Sequence, residues 1–423
     1  MIKIIKNYNE NEIFDRCGET IDVSVAVSEI IANVRSNGDK ALREYCLKFD
    51  KVSIDNFEID TDMMKAAYDR IDDEFKSVLN EAASNIREYH KAQIRDGYEI
   101  TRSNGVKIGR KVLPLERVGL YVPGGTAAYP SSVLMKCIPA VIAGVKEIVM
   151  VTPPSKDGTV RDDILAAAFV AGVNRVFSVG GAQAVAALAY GTETIPKADK
   201  IVGPGNAFVA EAKRQVFGMV DIDMIAGPSE ILIVADECAN PAVVAADMLS
   251  QAEHDKNASA VLITDSDELA EATAVELERQ LKLLPREEIA RVSVDTNSKI
   301  IIADSIESAI EISNRLAPEH LEINTVNAMD LLPLVKNAGS VFLGSNCPEA
   351  VGDYFSGTNH VLPTGGTARF ASALSVDDFV KTMEYTYYSP EAMLQDADKI
   401  ALFAKREGLD AHANSALIRK EIM

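Results

Sequence analysis

The chain has 423 residues, 47% of them hydrophobic and 25% charged, and a formal net charge of −20. That length buries more than one core, and the composition is that of an ordinary globular protein. The negative balance repels phosphate backbones and anionic membrane surfaces, which argues against nucleic-acid and peripheral-membrane roles.

The chain opens on Met1-Ile-Lys-Ile-Ile-Lys6, which lacks the longer apolar stretch and small-residue cleavage site of an export signal, so a cytoplasmic location is expected. Cys17, Cys46, Cys137, Cys238 and Cys347 show no C-x-x-C spacing, which fits reduced thiols; Cys347 reads as an ordinary thiol within Gly-Ser-Asn-Cys-Pro-Glu. Residues 20 to 95 are helical in pattern. Thr61 caps one helix whose Met64, Ala67, Tyr68, Ile71, Phe75, Val78, Leu79, Ala82, Ile86 and Tyr89 recur at three- and four-residue steps. His90 ends that run with no polar cluster beside it and reads as a surface or interface histidine.

Residues 97–115 read as a hairpin, with Asn104-Gly105 among its turn residues. From Val118 the character changes: a strand runs into the Gly-rich loop to Thr126, and a helix follows from Ser131 to Ala143. Lys136, Pro139, Lys146 and Glu147 interrupt the apolar run from Val133 to Val151, which is core helix then strand rather than a membrane span. Three more strand-loop-helix units start at Glu147, Arg175 and Lys200, an alternation that builds a parallel sheet covered by helices. Three of the four loops place glycines at a strand's carboxyl end, where free amides favour an anion such as a pyrophosphate. None matches G-x-G-x-x-G, and any one of them equally serves a tight turn.

Between Asp221 and Asp236, strand-like runs flank a polar notch, and Ser229 and Glu230 there line a cleft or satisfy nearby backbone groups. A helix from Asn240 to Ala252 leads to Gln251 and His254, three positions apart and able to share a cation from one helical face. A strand at 259–264, a helix at 266–284, a strand at 299–303, a helix at 305–316 and a strand from Leu321 to Asn324 make a second α/β unit. Glu319 and His320 give one cleft two proton acceptors of different strength; a helix-to-strand connection with solvated side chains is the other reading. A strand near residues 338–344 precedes a long loop, rich in small polar residues, that contains Asp353 and His360 and runs to Gly366. From Asp377 the pattern is mostly helical to the end, with thin apolar stripes that are marginal alone and are expected to dock on something, a partner subunit included. Gln251, His254, Asp353 and His412 together offer two imidazole nitrogens and two oxygens, a set that suits zinc and lacks the H-E-x-x-H of a zinc protease.

Seven separated segments then resemble histidinol dehydrogenase, in that family's order: Gly119-Leu-Tyr-Val-Pro-Gly-Gly125, Gly203-Pro-Gly-Asn-Ala-Phe208, Ala226-Gly-Pro-Ser-Glu230, Ser250-Gln-Ala-Glu-His254, Leu316-Ala-Pro-Glu-His-Leu321, Gly352-Asp-Tyr354 with Ser356 to Thr364, and Glu407-Gly-Leu-Asp-Ala-His412. The resemblance implies oxidation of L-histidinol, through the aldehyde, to L-histidine, with NAD as hydride acceptor and one zinc ion per subunit. By position it implies Gln251, His254, Asp353 and His412 as zinc ligands, Glu319 and His320 as the bases, and Tyr121, Gln183 and Asn206 as cofactor contacts. Its substrate contacts fall on Ser229, Gln251, His254, His320, Asp353, Glu407 and His412. It also implies a homodimer in which C-terminal residues complete the neighbouring site. The fold expected is α/β: two incomplete Rossmann-like parallel-sheet units packed together, with helical N- and C-terminal extensions. Residues 1–20 form one extension, 21–118 with 229–376 the first unit, 119–228 an inserted cofactor unit, and 377–423 the second extension. Two other readings stand beside this one: a zinc dehydrogenase of a different amino alcohol, and a metal- and nucleotide-binding protein without turnover.

Overall fold

Short runs of Val, Ile and Leu, each ending in a Gly- or Pro-bearing loop before a helix, become the strands of two parallel sheets in the computed structural model, which describes residues 2–6, 22–124 and 129–422. In the first sheet, β5 (Arg117–Tyr121), β6 (Glu147–Thr152), β7 (Arg175–Ser178), β8 (Lys200–Val202) and β9 (Asp221–Ile222) run parallel, and β2 (Glu58–Ile59) closes one edge antiparallel to β7. The order β2-β7-β6-β5-β8-β9 means that the winding reverses between β5 and β8. A crevice outside the carboxyl ends of the strands at such a reversal is where open α/β sheets bind ligands.

The second sheet has β1 (Lys3–Ile5), β12 (Lys299–Ile302), β11 (Ser259–Thr264), β10 (Glu230–Ala235), β13 (His320–Asn324) and β14 (Ser340–Leu343), in that spatial order and all parallel. Strands buried on both faces need apolar residues at successive positions, which is why Ile-Leu-Ile-Val-Ala in β10 shows no polar alternation. Leu134, Ile138, Met150 and Leu165 fill one side of the first sheet and Phe57, Phe177 and Leu188 the other. Each such side chain contributes on the order of 2 kcal/mol by leaving water. The α/β class with parallel-sheet units expected from the sequence is the class the chain adopts.

Both sheets belong to one compact unit, Met1–Gln93 with Leu115–Phe379, and the remaining segments, Ile94–Pro114 with Val380–Met423, form another. The second unit holds a three-stranded antiparallel sheet of β15 (Val380–Tyr387), β4 (Lys107–Pro114) and β3 (Tyr98–Thr101). Its helices Pro390–Arg406 and Asp410–Ile422 meet through Ala401, Ala404, Ala413 and Leu417.

Five local readings change. The N-terminal stretch expected in a helical extension supplies a strand instead, β1, whose Lys3–Ile5 pair with Lys299–Ile301 of β12. The helix expected to be capped by Thr61 is capped by Asp60, whose carboxylate accepts from the Asp62 amide at 3.0 Å. It is two helices, Thr61–Arg70 and Asp73–Lys91, because Ile71 is extended (ψ 155°) and the Asp72 carboxylate accepts from the Phe75 amide at 2.8 Å as a new N-cap. The apolar spacing runs on across that break, which hides it. The tail that reads as helical begins with the eight-residue strand β15, whose Val-Lys-Thr-Met-Glu-Tyr-Thr-Tyr is rich in β-branched and aromatic residues. A helix, Glu287–Thr296, occupies a stretch given no element. His90 is fully buried: its Nδ1 lies 2.7 Å from Gln93 Oε1 and its Nε2 3.4 Å from Asn359 Nδ2. Cys46, Cys137, Cys238 and Cys347 are free thiols; Cys17, Gly125 and Thr126 lie outside the described residues. No described helix is long and apolar enough to cross a membrane.

Candidate functional site

The site gathers at the amino ends of β10 and β13, which are neighbours in the second sheet. The helix Ile306–Leu316 stops at Ala317, held left-handed at φ 50°, and Pro318 prevents its resumption. This turn delivers Glu319 and His320 to the start of β13 beside Glu230. Glu319 Oε2 accepts from the Glu230 amide at 2.9 Å, and His320 Nδ1 lies 2.9 Å from the Glu230 carbonyl. A carbonyl only accepts, so the imidazole carries its proton on Nδ1 and presents a lone pair at Nε2.

That Nε2 is buried and has no hydrogen-bond partner among the described residues. Burial lowers the His320 pKa and keeps the ring neutral. Burial also pushes the Glu319 carboxyl well above the usual range; the Glu230 amide opposes this, and the charges of Glu230, Asp353 and Glu349 add to it. A neutral imidazole and a poorly solvated carboxyl in one place can move protons near neutral pH.

Facing them is the short helix Glu349–Tyr354, which puts Glu349 and Asp353 on one side four residues apart. Glu349 Oε1 sits 3.9 Å from His320 Nε2 and is also without a partner among the described residues. One ligand atom each from His320, Glu349 and Asp353 falls within 4.8 Å of the others, a spacing that suits one cation. Glu349 is held from behind: its amide donates to Glu322 at 2.7 Å, and Ser250 Oγ donates to its Oε2 at 3.2 Å. Burial first, and then the Glu349 charge, raises the Asp353 pKa.

Gln251, next to Ser250 at the end of the helix Pro241–Ala252, is 1% exposed, and neither its Oε1 nor its Nε2 has a partner among the described residues. A buried amide left so costs about 1–3 kcal/mol per unmade bond, an arrangement that persists where a ligand takes the atoms. His254 falls two residues beyond that helix, in the turn closed by its amide on the Gln251 carbonyl at 3.0 Å, rather than on a helical face. It is near enough to His320 to disfavour a proton there. Unpaired amide, imidazole and carboxylate atoms of this kind fit a borderline divalent ion.

His360 is a different case. Its Nε2 meets Ser132 Oγ at 3.0 Å and its Nδ1 the Asp353 carbonyl at 3.1 Å, so both nitrogens are engaged, and burial drives its pKa down to about 3. Ser229 is half-buried, with its carbonyl accepting from the Ser259 amide at 3.0 Å. Glu407 and His412 belong to the second unit, where Glu407 caps the helix Pro390–Arg406 and His412 lies in the first turn of Asp410–Ile422; both are exposed.

The three residues matched to cofactor contacts sit at the carboxyl ends of β5, β7 and β8. Tyr121 Oη accepts from the Gly181 amide at 3.0 Å, Gln183 is buried in the first turn of the helix Gly181–Tyr190, and Asn206 caps the helix Ala207–Val216 by accepting from the Phe208 and Val209 amides. Glu349 is the residue that the sequence reading passed over. Its signal was the four-residue step to Asp353, concealed because residues 348–366 read as loop.

The chain matches the family model for histidinol dehydrogenase over residues 16–420. It is 55% identical over 401 residues to the histidinol dehydrogenase of Clostridium acetobutylicum, covering 95% of this chain and 93% of that one. It is likewise 55% identical over 396 residues to that of Geobacillus kaustophilus, covering 94% and 93%. The crystal structure of histidinol dehydrogenase from Elizabethkingia anophelis superposes with a TM-score of 0.94 at 38% identity, over 99% of this chain and 98% of that one. With a full-length match in sequence and in fold, the chain belongs to the histidinol dehydrogenase family of oxidoreductases.

Proposed function

We propose that the chain oxidises L-histidinol in two steps, through L-histidinaldehyde to L-histidine, as a zinc-dependent, NAD-linked cytoplasmic enzyme of histidine biosynthesis. The observation that carries this is the pairing of a neutral, buried His320 Nε2 with a buried Glu319, beside unpaired ligand atoms of Gln251 and Glu349.

In the first step His320 Nε2 takes the proton of the substrate hydroxyl while the carbinol carbon loses a hydride, which NAD, when bound, would accept. Glu319 then takes a proton from the water that adds to the aldehyde; the hydrate loses a second hydride, which a second NAD would accept, and its hydroxyl proton passes to His320 once the ring has released the first. Glu319 is suited to this because its Oε2 is fixed by the Glu230 amide, which leaves its other oxygen to the water. Gln251, His254, Asp353 and His412 would hold the metal, which when bound supplies a Lewis acid that orients the substrate's nitrogens. Glu349 lies close enough to the His320 and Asp353 ligand atoms to shape that set.

Ser229 and Glu407 are the further substrate contacts in this reading, and Tyr121, Gln183 and Asn206 are the contacts to NAD. His412 and Glu407 complete the site of a second subunit, so the working form is a homodimer. Their exposure on this chain supports that role, as do Leu402 and Phe403, apolar side chains 61% and 70% exposed on the neighbouring helix. The inserted stretch 119–228 serves the cofactor and 229–376 the metal and the chemistry.

Protein stripped with a chelator and then given zinc or magnesium tests the proposal. With NAD present, only the zinc-loaded sample should reduce the dinucleotide with histidinol, and other amino alcohols should react at least tenfold more slowly. Equal rates with an unrelated amino alcohol would point to a different substrate, and zinc binding without turnover to a binding protein.

A further inference from the structure

Three charged side chains lie deep in the first sheet's half of the larger unit, apart from the metal-site cluster, and none is accounted for by the chemistry above. Lys136, from the helix Pro130–Ala143, is completely buried, and its Nζ donates to the Tyr121 carbonyl at 2.8 Å, its one hydrogen bond among the described residues. Lys213, from the helix Ala207–Val216, is 1% exposed; its Nζ donates to the Gly203 carbonyl at 2.9 Å and is paired with Asp223. The second oxygen of Asp223 accepts from the Gly203 amide at 2.6 Å.

Tyr121 ends β5 and Gly203 follows β8, the two strands between which the sheet reverses its winding. They touch: a Cβ on Gly203, which is at φ +117°, would press on the Tyr121 carbonyl and lie 3.0 Å from Lys136 Nζ. One ammonium group therefore stands at the junction of both strand ends. The charges do not balance, because two lysines share one aspartate. An unmatched ammonium in a protein interior is costly, and a neutral side chain could hold a single carbonyl as well. Such a cation is retained at lower cost where an anion arrives close by.

We infer that Lys136 is a positioning residue for the hydride acceptor, setting the spacing of the two strand ends at the switch point and leaving positive charge beneath the diphosphate of a bound dinucleotide. This rests on the reading of the strand ends at Tyr121 and Gly203 as the dinucleotide site. Burial brings the Lys136 pKa down to about 7, with Asp223 opposing and Lys213 adding to the shift. An anion laid over these two strand ends favours the protonated form, so binding draws a proton from solvent when the pH is above that value. The groups that face Lys136 are Asp223, Lys213 and His360, and His360, held near pH 3, stays neutral throughout. Ser132, one turn earlier on the same helix, holds His360, so this helix also reaches the catalytic cluster.

NADH fluorescence titrations on the zinc-loaded protein compare the wild type with Lys136→Met, Gln183→Ala and Asn206→Ala. We expect Lys136→Met to raise the Kd for NADH and the KM for NAD at least tenfold while kcat falls less than threefold. Wild-type affinity in Lys136→Met, with weakened binding in either control, overturns the role of Lys136 alone; wild-type affinity in all three overturns the dinucleotide site as well. Calorimetry on the wild type decides the matter if Lys136→Met does not fold. NADH binding at pH 8, measured in two buffers of different ionisation heat, should be accompanied by net proton uptake. No uptake overturns the inference.

Discussion

Glu319 and His320 adjoin in sequence, yet the Glu230 backbone gives them separate work, its amide holding one and its carbonyl the other. Changing Glu319 to Gln keeps an acceptor for that amide and removes the base. The first hydride transfer should survive within about threefold while aldehyde oxidation slows at least a hundredfold, which corresponds to about 2.7 kcal/mol. Single-turnover NADH formation from histidinol and from histidinaldehyde separates the two, and equal losses would remove the division of labour. Asp353 leads to a different expectation. Its carboxyl is held protonated above the usual range in the metal-free protein, and a ligand must be ionised. Metal binding at pH 7 should therefore release a proton, and zinc affinity should rise with pH until that carboxyl is ionised without the metal. Zinc titrations from pH 6 to 9 in buffers of different ionisation heat measure both; an affinity flat across that range would mean that Asp353 is not a ligand. At this scale the sequence singled out Glu319, His320, Gln251 and His254, framed by Pro318 and the end of an apolar helix, while leaving a solvated helix-to-strand connection as an equal reading of the first two. It did not show Glu349, whose significance lies in facing His320 across a distance that no local pattern encodes.

Among the elements, two short features decide where side chains arrive. The turn at Gly203 joins β8 to the helix it feeds, and its φ of +117° together with its approach to Tyr121 leaves no room for a Cβ. Gly203→Ala should cost about 2–4 kcal/mol in urea unfolding, and a loss below about 0.5 kcal/mol would mean the turn has space. Asp72 restarts a helix after the extended Ile71, so Asp72→Ala should destabilise the fold by about 1 kcal/mol with activity unchanged. Alternation of strand and helix was legible from Val118 onward, since buried parallel strands write themselves as unbroken Val, Ile and Leu runs. The break at Ile71 was not, because a cap three residues before Phe75 leaves the apolar spacing on both sides in step. Nor was β15, an edge strand with mixed polarity whose partner, β4, lies far earlier in the chain, Val380 pairing with Pro114 and Tyr387 with Lys107.

For the molecule as a whole, parallel winding gives two reversal points, and the chain uses the sheets differently. The cofactor-matched residues are at carboxyl ends in the first sheet, the usual side for a ligand, whereas Glu230 and His320 are at amino ends in the second. Sequence could not tell which ends of the strands carry these residues, because which end of a strand opens into a site depends on packing between distant segments. The proposal stands or falls on both oxidations occurring at one zinc-bearing site. The most direct measurement is the amount of NADH formed per histidinol consumed by the zinc-loaded protein, with the amino-acid product quantified alongside. Two NADH and one histidine per histidinol are expected; one NADH with free aldehyde accumulating, or no NADH at all, would contradict it.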